Sequence, residues 1–429
     1  MTRTMADLPV FAEIDDPAWG LDFAWVTEDL FRRDYQGPMR TSWGDLVVYR
    51  NADIAAIQKS PAVSHQSMDT ILTSFGHHEP ALTSLEEFFR YSTFSMQQPQ
   101  HMPSKRLIMP PLAPAAVSPF ASDFAHLVRE RIEAAVDAGE VEFLNQFARP
   151  VVGAFWSRAL DIPLEDCHRL MRLAHDFIGS FLLAPTEEEL GIADRGVRDY
   201  IDLLVPALRR TAERGSSPMV ARLLADYGAM DGGVGKPADP IHHFALALVD
   251  GFNTLASGLA ALVHALVAAG FDVSTPPSDI GRFATQAFME GSRLHPPVAL
   301  TMREAIDDLV LDELLIPKGT SMVVLWMLGN RDPEFFPDPD QFRLERENRI
   351  RQYTFASGGY VCAGRNVFQA LGEVLLAELA TAQVLIEPAG PPTWIGGSMT
   401  HELSSLPLAF RRTSRVSGSD DATATVRRG

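Results

Sequence analysis

The chain has 429 residues, of which 46% are hydrophobic and 21% are charged, a composition typical of a folded globular protein with a large core. Its 37 basic and 55 acidic residues give a net charge of −18, which argues against a general nucleic-acid-binding protein, because phosphate recognition needs a basic surface. Two cysteines, Cys167 and Cys362, cannot form a disulfide framework, and the N-terminal stretch has no apolar signal-peptide core, so we predict a cytoplasmic protein.

The predicted elements divide the chain into a mixed start, a helical middle and a mixed end. Residues 41–58 alternate in polarity and then take a helical pattern, which predicts a short hairpin followed by a helix. The pattern is mostly helical from Pro119 to Ala382, with strand chemistry over 307–330. We predict a mainly α protein with a smaller β-rich lobe, forming one domain over 1–413, with a disordered tail over 414–429.

The most apolar part of the chain predicts one long helix. It would begin near Pro240 and end at Gly270, so that it crosses the whole domain. The segment is long enough to be tested as a membrane span, but it lacks a polybasic flank and contains several polar residues. These are Asp250, Asn253, Thr254, Ser257 and His264. We therefore predict a buried helix and no membrane association.

The segment "FASGGYVCAGRNV" places Cys362 just before a predicted helix, whose N-terminal amides and dipole favour a thiolate. Gly358 and Gly364 let the backbone approach a flat or bulky group, and Phe355 can shield the sulfur from water. A single thiolate in an apolar shell suits an axial haem ligand. From this segment alone, a buried structural cysteine is the simpler interpretation, because free cysteine is among the most buried residue types.

The segment resembles the cysteine loop of the cytochrome P450 family, which follows Phe-Gly-x-Gly-x-His/Arg-x-Cys-x-Gly. The matching positions are Phe355, Gly358, Cys362 and Gly364. Two positions differ, since Ala356 replaces a glycine and Tyr360 replaces the basic residue that contacts a haem propionate in the family. The resemblance implies a P450-like fold, with a long central helix over haem b and Cys362 as the axial ligand of the haem iron.

Other landmarks of the family follow in the expected order between about Val47 and Leu408. "MEGSRLHPP" supplies Glu290 and Arg293, which lie three residues apart on one helix and can form an ion pair. Arg346 stands where the family has the third member of this set. The resemblance implies that the three residues fix the stretch before the cysteine loop.

The resemblance also implies a set of residues that hold the haem propionates. His101 and Lys105 lie on one helical face and are similar to the family's His-x-x-x-Arg pair, and Arg303 matches another propionate-binding position. Together they provide donors for two carboxylates. Tyr360 would offer at most a phenolic hydrogen bond.

The middle of the long helix departs from the family pattern. The family has Ala/Gly-Gly-x-Asp/Glu-Thr-Thr where protons reach bound dioxygen, and this chain has "DGFNTL". Gly251 and Thr254 match, but Asn253 cannot carry a proton as a carboxylate does, although it can orient a water. Asp250 lies one turn before Thr254, on the same face. Three interpretations of Asp250 stay open: a proton relay, a partner for a basic or hydroxylated substrate, and a helix–helix hydrogen bond.

The function that the resemblance implies is a monooxygenase acting on a small or medium-sized organic substrate. O2 and NAD(P)H-derived electrons would be co-substrates, delivered through ferredoxin and ferredoxin reductase, because the chain leaves no room for a fused reductase. The expected basic docking patch consists of Lys105, Arg106, Arg349, Arg351 and Arg365. Phe252, Leu300 and Met302 are expected in the substrate pocket.

We expect the protein to be a monomer. Two other functions remain open. The first is oxidative coupling or another non-hydroxylating step in natural-product biosynthesis, a hypothesis that Asn253 favours. The second is a haem sensor or carrier without turnover.

Overall fold

Helices make up most of the described chain. The computed structural model describes residues 3–16, 18–21, 23–33, 35–76, 81–275 and 277–412, so the predicted tail over 414–429 lies outside the described residues. The α-helices are α1 (Ala24–Leu30), α2 (Asn51–Lys59), α3 (Met68–Phe75), α4 (Thr83–Tyr91), α5 (His101–Ile108), α6 (Pro114–Val117), α7 (Ala121–Ala138), α8 (Arg149–Leu160), α9 (Leu164–Asp176), α10 (Glu187–Arg214), α11 (Pro218–Ala229), α12 (Pro240–Ala268), α13 (Ile280–Leu294), α14 (Trp326–Gly329) and α15 (Arg365–Ala382).

The strands are short and form a smaller part of the molecule. They are β1 (Met39–Arg40), β2 (Leu46–Val48), β3 (Val63–Ser64), β4 (Glu140–Glu142), β5 (Thr301–Ala305), β6 (Leu309–Leu311), β7 (Leu314–Ile316), β8 (Ser321–Val324), β9 (Val384–Pro388), β10 (Thr393–Trp394), β11 (Leu403–Ser405) and β12 (Pro407–Arg412). A five-stranded sheet has the order β1-β2-β8-β5-β3, with β2 and β8 parallel. A three-stranded sheet has the order β4-β12-β9, while β6-β7 and β10-β11 form two-stranded pairs. The predicted mainly α fold with a β-rich lobe is confirmed.

Helix α12 is the central element of the helical part. The side chain of Asp239 accepts hydrogen bonds from the amides of Ile241 and His242, and Pro240 occupies the first turn, so the helix has a well-defined beginning. Its 29 residues span about 44 Å at 1.5 Å per residue. The helix is long and apolar enough to cross a membrane by length and composition, but 78% of its apolar window is buried inside the protein. The prediction of a buried helix is confirmed.

Close packing brings α13 and α15 against α12. A Cβ atom at Gly372 of α15 would lie 2.7 Å from Cδ2 of Phe288 and 2.9 Å from Cδ1 of Leu262. Both distances are shorter than carbon–carbon contact, so only glycine permits this approach. The packing fixes α15, and with it the segment that leads into α15, beside α12.

A buried ion cluster ties the loop after β8 to α13. Nε and Nη2 of Arg293 donate to the two carboxylate oxygens of Glu290, at 2.9 and 2.8 Å, and Nε of Arg346 donates to Oε1 of Glu290 at 2.8 Å. All three side chains are almost completely buried. Because Glu290 accepts from two guanidinium groups, its pKa stays below the usual value although burial acts to raise it.

The arginines of this cluster also hold backbone carbonyls. Arg293 donates to the carbonyls of Asn330 and Pro339, at 2.9 and 2.7 Å, and Arg346 donates to that of Pro337 at 2.7 Å. Further along, the Asn330 side chain accepts from the amide of Tyr353 at 2.6 Å. The loop therefore takes one path toward the cysteine segment.

Replacing Glu290→Gln should lower the free energy of unfolding by about 3 kcal/mol, because two buried guanidinium groups lose their anionic partner. Urea unfolding followed by circular dichroism measures the change. The matched control is Glu345→Gln, which breaks the exposed pair with Arg282 and should cost less than about 1 kcal/mol. Equal losses in the two variants would contradict the structural role of the buried cluster.

Candidate active site

A cavity lies between α12 and the segment that leads into α15. Its empty space, including the part that is open to solvent, is about 1660 Å³. Its wall is mostly apolar and includes residues from α12 on one side and Cys362 on the other.

The cysteine segment is a tight loop that presents Cys362 to the cavity. The amide of Cys362 donates to the carbonyl of Phe355 at 2.9 Å, which closes the loop. Ala356 and Gly358 both have positive φ, 53° and 61°, so the loop needs the left-handed conformation twice. The ring of Phe355 packs between Phe288 and Phe368 in the core below the loop.

The electrostatic surroundings of the Cys362 sulfur act in opposite directions. Burial raises the pKa of the thiol, whereas the amides of Gly364 and Arg365 and the charge of Lys105 lower it. The net direction is upward, because desolvation outweighs the helix amides. The helix amides therefore act in the direction that the sequence predicts, but burial has the larger effect on this thiol.

Lys105, His65 and His101 line the cavity beside the cysteine loop, and Arg303 contacts two lining residues, His65 and Tyr360. The ammonium group of Lys105 donates to the carbonyl of Gly359 at 2.8 Å. Arg303 donates through Nη1 to the carbonyl of Met302 at 2.8 Å, and its Nε is buried without a hydrogen-bond partner. Burial lowers the pKa of Lys105 to about 8 and that of Arg303 to about 10. No salt bridge joins either side chain to a carboxylate within the described ranges.

Two neutral histidines, His65 and His101, lie beside these cations. We call the four residues Lys105, Arg303, His65 and His101 the cationic cluster. His101 is buried and its ring lies 5.0 Å from the ring of His65 and 5.0 Å from that of Tyr360. Burial lowers the pKa of His101 to about 4 and that of His65 well below its usual value, and the nearby Lys105 and Arg303 act in the same direction. Both imidazoles are therefore neutral at physiological pH and can donate one N–H each.

Tyr360 packs within this cluster without offering its hydroxyl to the cavity. The phenol donates to the carbonyl of Val63 at 3.2 Å and lies 3.3 Å from the Ser64 hydroxyl. Its ring lies under the guanidinium group of Arg303, 5.2 Å from Cζ to the ring centroid. Tyr360 thus supports Arg303 by a cation–π contact, and the expected phenolic hydrogen bond to a propionate is replaced by one to β3.

One face of α12 forms the opposite wall of the cavity. Asp250, Gly251 and Thr254 all line it. The indole Nε1 of Trp156 donates to the carbonyl of Gly251 at 2.9 Å, so a side chain from α8 reaches the helix backbone at this point. Burial raises the pKa of Asp250 to about 6.

Asn253 joins a guanidinium group to a carboxylate. Nη2 of Arg149 donates to Oδ1 of Asn253 at 3.1 Å, and Nδ2 of Asn253 donates to Oε2 of Glu402. Glu402 is buried and lines the cavity, and burial together with the charge of Asp250 raises its pKa to about 8. Arg149 reaches outward to the exposed Asn145, so the bridge connects the cavity wall to the surface.

Of the three residues expected in the substrate pocket, Leu300 lines the cavity. Phe252 points to the opposite side of α12, where it packs against Trp156 and Tyr200 in the core. Met302 packs beside the core of the β-rich lobe. Neither belongs to the lining of the cavity, so this expectation is corrected for Phe252 and Met302.

Comparisons with known proteins agree with this arrangement. The family model described as Cytochrome P450 matches residues 282–372, which include Glu290, Arg293 and the whole cysteine loop. The luteothin monooxygenase of Streptomyces thioluteus is 26% identical over 94% of this chain and 97% of its own length. Both matches support a cytochrome P450.

Further similarities cover nearly the whole chain. The protein named cytochrome p450 CYP199A2, from Rhodopseudomonas palustris, is 24% identical over 85% of this chain and 86% of its own length. The solved structure of epothilone B-bound cytochrome P450epoK superposes with a TM-score of 0.79 at 18% identity, over 93% of this chain and 99% of that one. The fold is thus that of P450 structures.

As a cytochrome P450, the chain is an oxygenase that uses haem iron, O2 and electrons from a redox partner, and acts on a small molecule. The donor set of the cavity fits a haem group. Lys105 and Arg303 are buried cations without a carboxylate partner among the described residues, and Nε of Arg303 has no acceptor there. Such groups need anions, and a haem carries two propionates.

Sequence comparison with the P450 pattern missed three residues of this site. The resemblance places segments 64–96 and 394–403, which contain His65 and Glu402, in the lining of the family's pocket, but it assigns no role to either residue. Arg149 comes from an element far from α12 in sequence. The amide at position 253 was a further signal, because it leaves room for a carboxylate from another element.

Replacing Ala356→Gly in this P450 should raise the free energy of unfolding by up to about 1 kcal/mol. Relief of the left-handed conformation gains about 1–2 kcal/mol, and the added backbone freedom of glycine costs roughly 0.5–1 kcal/mol. Urea unfolding measures the difference. The control is Ala363→Gly in the same loop, at a residue without positive φ, which should lower stability. If Ala356→Gly lowers the free energy of unfolding as much as Ala363→Gly does, the backbone at Ala356 is not strained.

Proposed function

We propose that the chain is a haem b monooxygenase, with Cys362 as the thiolate ligand of the haem iron. The observation that carries this proposal is the position of Cys362 in the cavity wall opposite the Asp250–Thr254 turn of α12. A thiolate-bound haem supplies oxygen-activating chemistry, because the thiolate donates electron density that favours O–O cleavage. Cys362 would be held in its thiolate form by the positive charge of a bound haem iron.

In this proposal the cationic cluster holds the haem propionates. Lys105 and Arg303 provide charge, while His65 and His101 provide neutral N–H donors. Phe355 excludes water from the sulfur, and the Gly364 amide hydrogen-bonds to it. The buried cluster of Glu290, Arg293 and Arg346 has a structural role only.

The thiolate assignment is tested by spectroscopy. The reduced protein with carbon monoxide should show the red-shifted Soret band of a thiolate complex, and Cys362→Ala should lose that band. The matched control is Cys167→Ala, which removes a buried thiol of α9 and should keep the band. A thiolate band that persists in the Cys362→Ala protein would exclude this assignment.

We also propose that Asn253 and Glu402 together take the place of the acid that α12 lacks. Asn253 must present its amide N–H₂ to Glu402, because the guanidinium group of Arg149 can only donate to its oxygen. With a pKa near 8, Glu402 keeps a proton at neutral pH and can release it toward the cavity beside Thr254. The Arg149 side chain holds Asn253 in this orientation.

Replacing Glu402→Gln should lower the yield of product per NADPH consumed by about tenfold or more, because a positioned acid is lost. A second measurement needs no turnover: an infrared band of a protonated carboxyl should disappear as the pH rises through about 8, and should be absent in the variant. The control is Glu387→Gln, at a partly exposed residue of β9, which should change neither the product yield per NADPH nor the infrared carboxyl band. Unchanged coupling and an unchanged band in Glu402→Gln would rule out this role.

The electrons would come from a ferredoxin and a ferredoxin reductase in the cytoplasm, with the P450 acting as a monomer. Arg106, Arg351 and Arg365 are exposed, and Ile350 beside Arg351 is 82% exposed, so the surface offers both charge and an apolar anchor to an acidic partner. Lys105 is not part of this surface, since it is buried with its ammonium group on the Gly359 carbonyl. The expected patch is corrected at that residue.

A further inference from the structure

The Asp250 carboxylate lies on the α12 wall and has no partner among the residues that the structure describes. Its side chain is accessible and lines the cavity. Within the residues that the structure describes, no hydrogen bond or salt bridge reaches its oxygens. A carboxylate that faces a mostly apolar cavity and accepts no hydrogen bond offers a site for a cationic ligand group.

The other charged groups of the cavity already have partners or lie elsewhere. Glu402 accepts from Asn253, which in turn is held by Arg149. Lys105 and Arg303 lie on the side of the cysteine loop, where the proposed function assigns them to the propionates. Tyr200 is near Asp250, but its hydroxyl donates to the carbonyl of Ala245 on α12.

Of the three interpretations of Asp250 that the sequence leaves open, the helix–helix hydrogen bond has no partner among the described residues. The carboxylate is therefore free to contact a substrate in the cavity.

The rest of the cavity wall suits an organic cation. Phe94, Phe177 and Phe181 lie next to one another in the wall, with ring centroids 5.5 Å apart for Phe94 and Phe181 and 4.9 Å apart for Phe177 and Phe181. Aromatic faces attract ammonium groups, and they bury the hydrocarbon part of a ligand at the same time.

We propose that this cavity selects substrates that carry an ammonium group on an apolar skeleton, and that Asp250 is the residue that contacts this group. This inference rests on the proposed function, in which the cavity is the substrate site. A cationic substrate would give the Asp250 carboxylate the partner that the protein does not supply.

The ligand test compares two molecules of the same shape. The first is phenethyl-trimethylammonium, and the second is its neutral isostere in which carbon replaces the nitrogen. A quaternary ammonium group has no lone pair, so it cannot bind the haem iron and only the wall can distinguish the two. Calorimetric titration of the purified haem-loaded protein should show about tenfold or tighter binding of the cation. Equal affinities, or tighter binding of the neutral molecule, would overturn the inference.

The variant test assigns the preference to a residue. Asp250→Asn should reduce the preference for the cation to less than about twofold while leaving the affinity for the neutral isostere unchanged. Glu402→Gln is the matched control, because it removes the other carboxylate of the wall. Loss of the preference in Glu402→Gln but not in Asp250→Asn would overturn the assignment to Asp250. If Asp250→Asn does not fold, the comparison of the two ligands on the unaltered protein still decides the substrate class.

The preference should also depend on pH. Because burial holds the Asp250 pKa near 6, the fraction of ionised carboxylate grows as the pH rises through that value, and binding of the cation should strengthen with it. The charged or titratable groups that face Asp250 are Glu402, Tyr200 and Cys362, and of these Glu402 ionises near pH 8. A preference that is constant between about pH 5 and 7 would contradict the role of Asp250.

The carbon monoxide spectrum of the same preparation separates the two proposals. A protein without the thiolate band that still prefers the cation would contradict the proposed function and leave the cation site standing. A protein with the band that binds both ligands equally would contradict only the cation site.

Discussion

The carboxylate of Glu290 is the constraint on which the geometry of the active site depends. It lies in the interior on α13 and accepts from two arginines, one on its own helix and one on the loop after β8. The two arginines also donate hydrogen bonds to backbone carbonyls of the same loop. A buried ion cluster is weak evidence for stability in general, but here it fixes one path of the loop and so fixes where Cys362 enters the cavity.

Cationic and anionic side chains lie in different parts of the cavity. Cationic and imidazole groups lie beside the cysteine loop, on α5, β5 and the loop before α3, while carboxylates lie on α12 and before β11. This separation matters because opposite charges placed together would neutralise each other and leave no site for an anion or a cation. Each part of the cavity therefore keeps charged side chains that can bind a ligand group of opposite charge.

Local patterns in the sequence predict much of the fold and part of the site. The length and apolarity of α12, the hairpin before α2 and the spacing of Glu290 and Arg293 are local features, and the structure contains all of them. The orientation of Phe252 and Met302 depends on which face of an element meets the cavity, which a single residue type does not specify. His65 and Glu402 reach the site by long-range packing, and no local spacing predicts that.

The amide at position 253 follows from the presence of Glu402. Two ionised carboxylates at hydrogen-bond distance repel each other, so an acid at this position would raise the pKa of both groups and leave Arg149 to serve two anions. An amide avoids that conflict, because it donates to Glu402 and accepts from Arg149 at the same time. The amide on α12 and the carboxylate on the segment before β11 thus belong to one hydrogen-bonded unit, and Asp250 lines the same cavity.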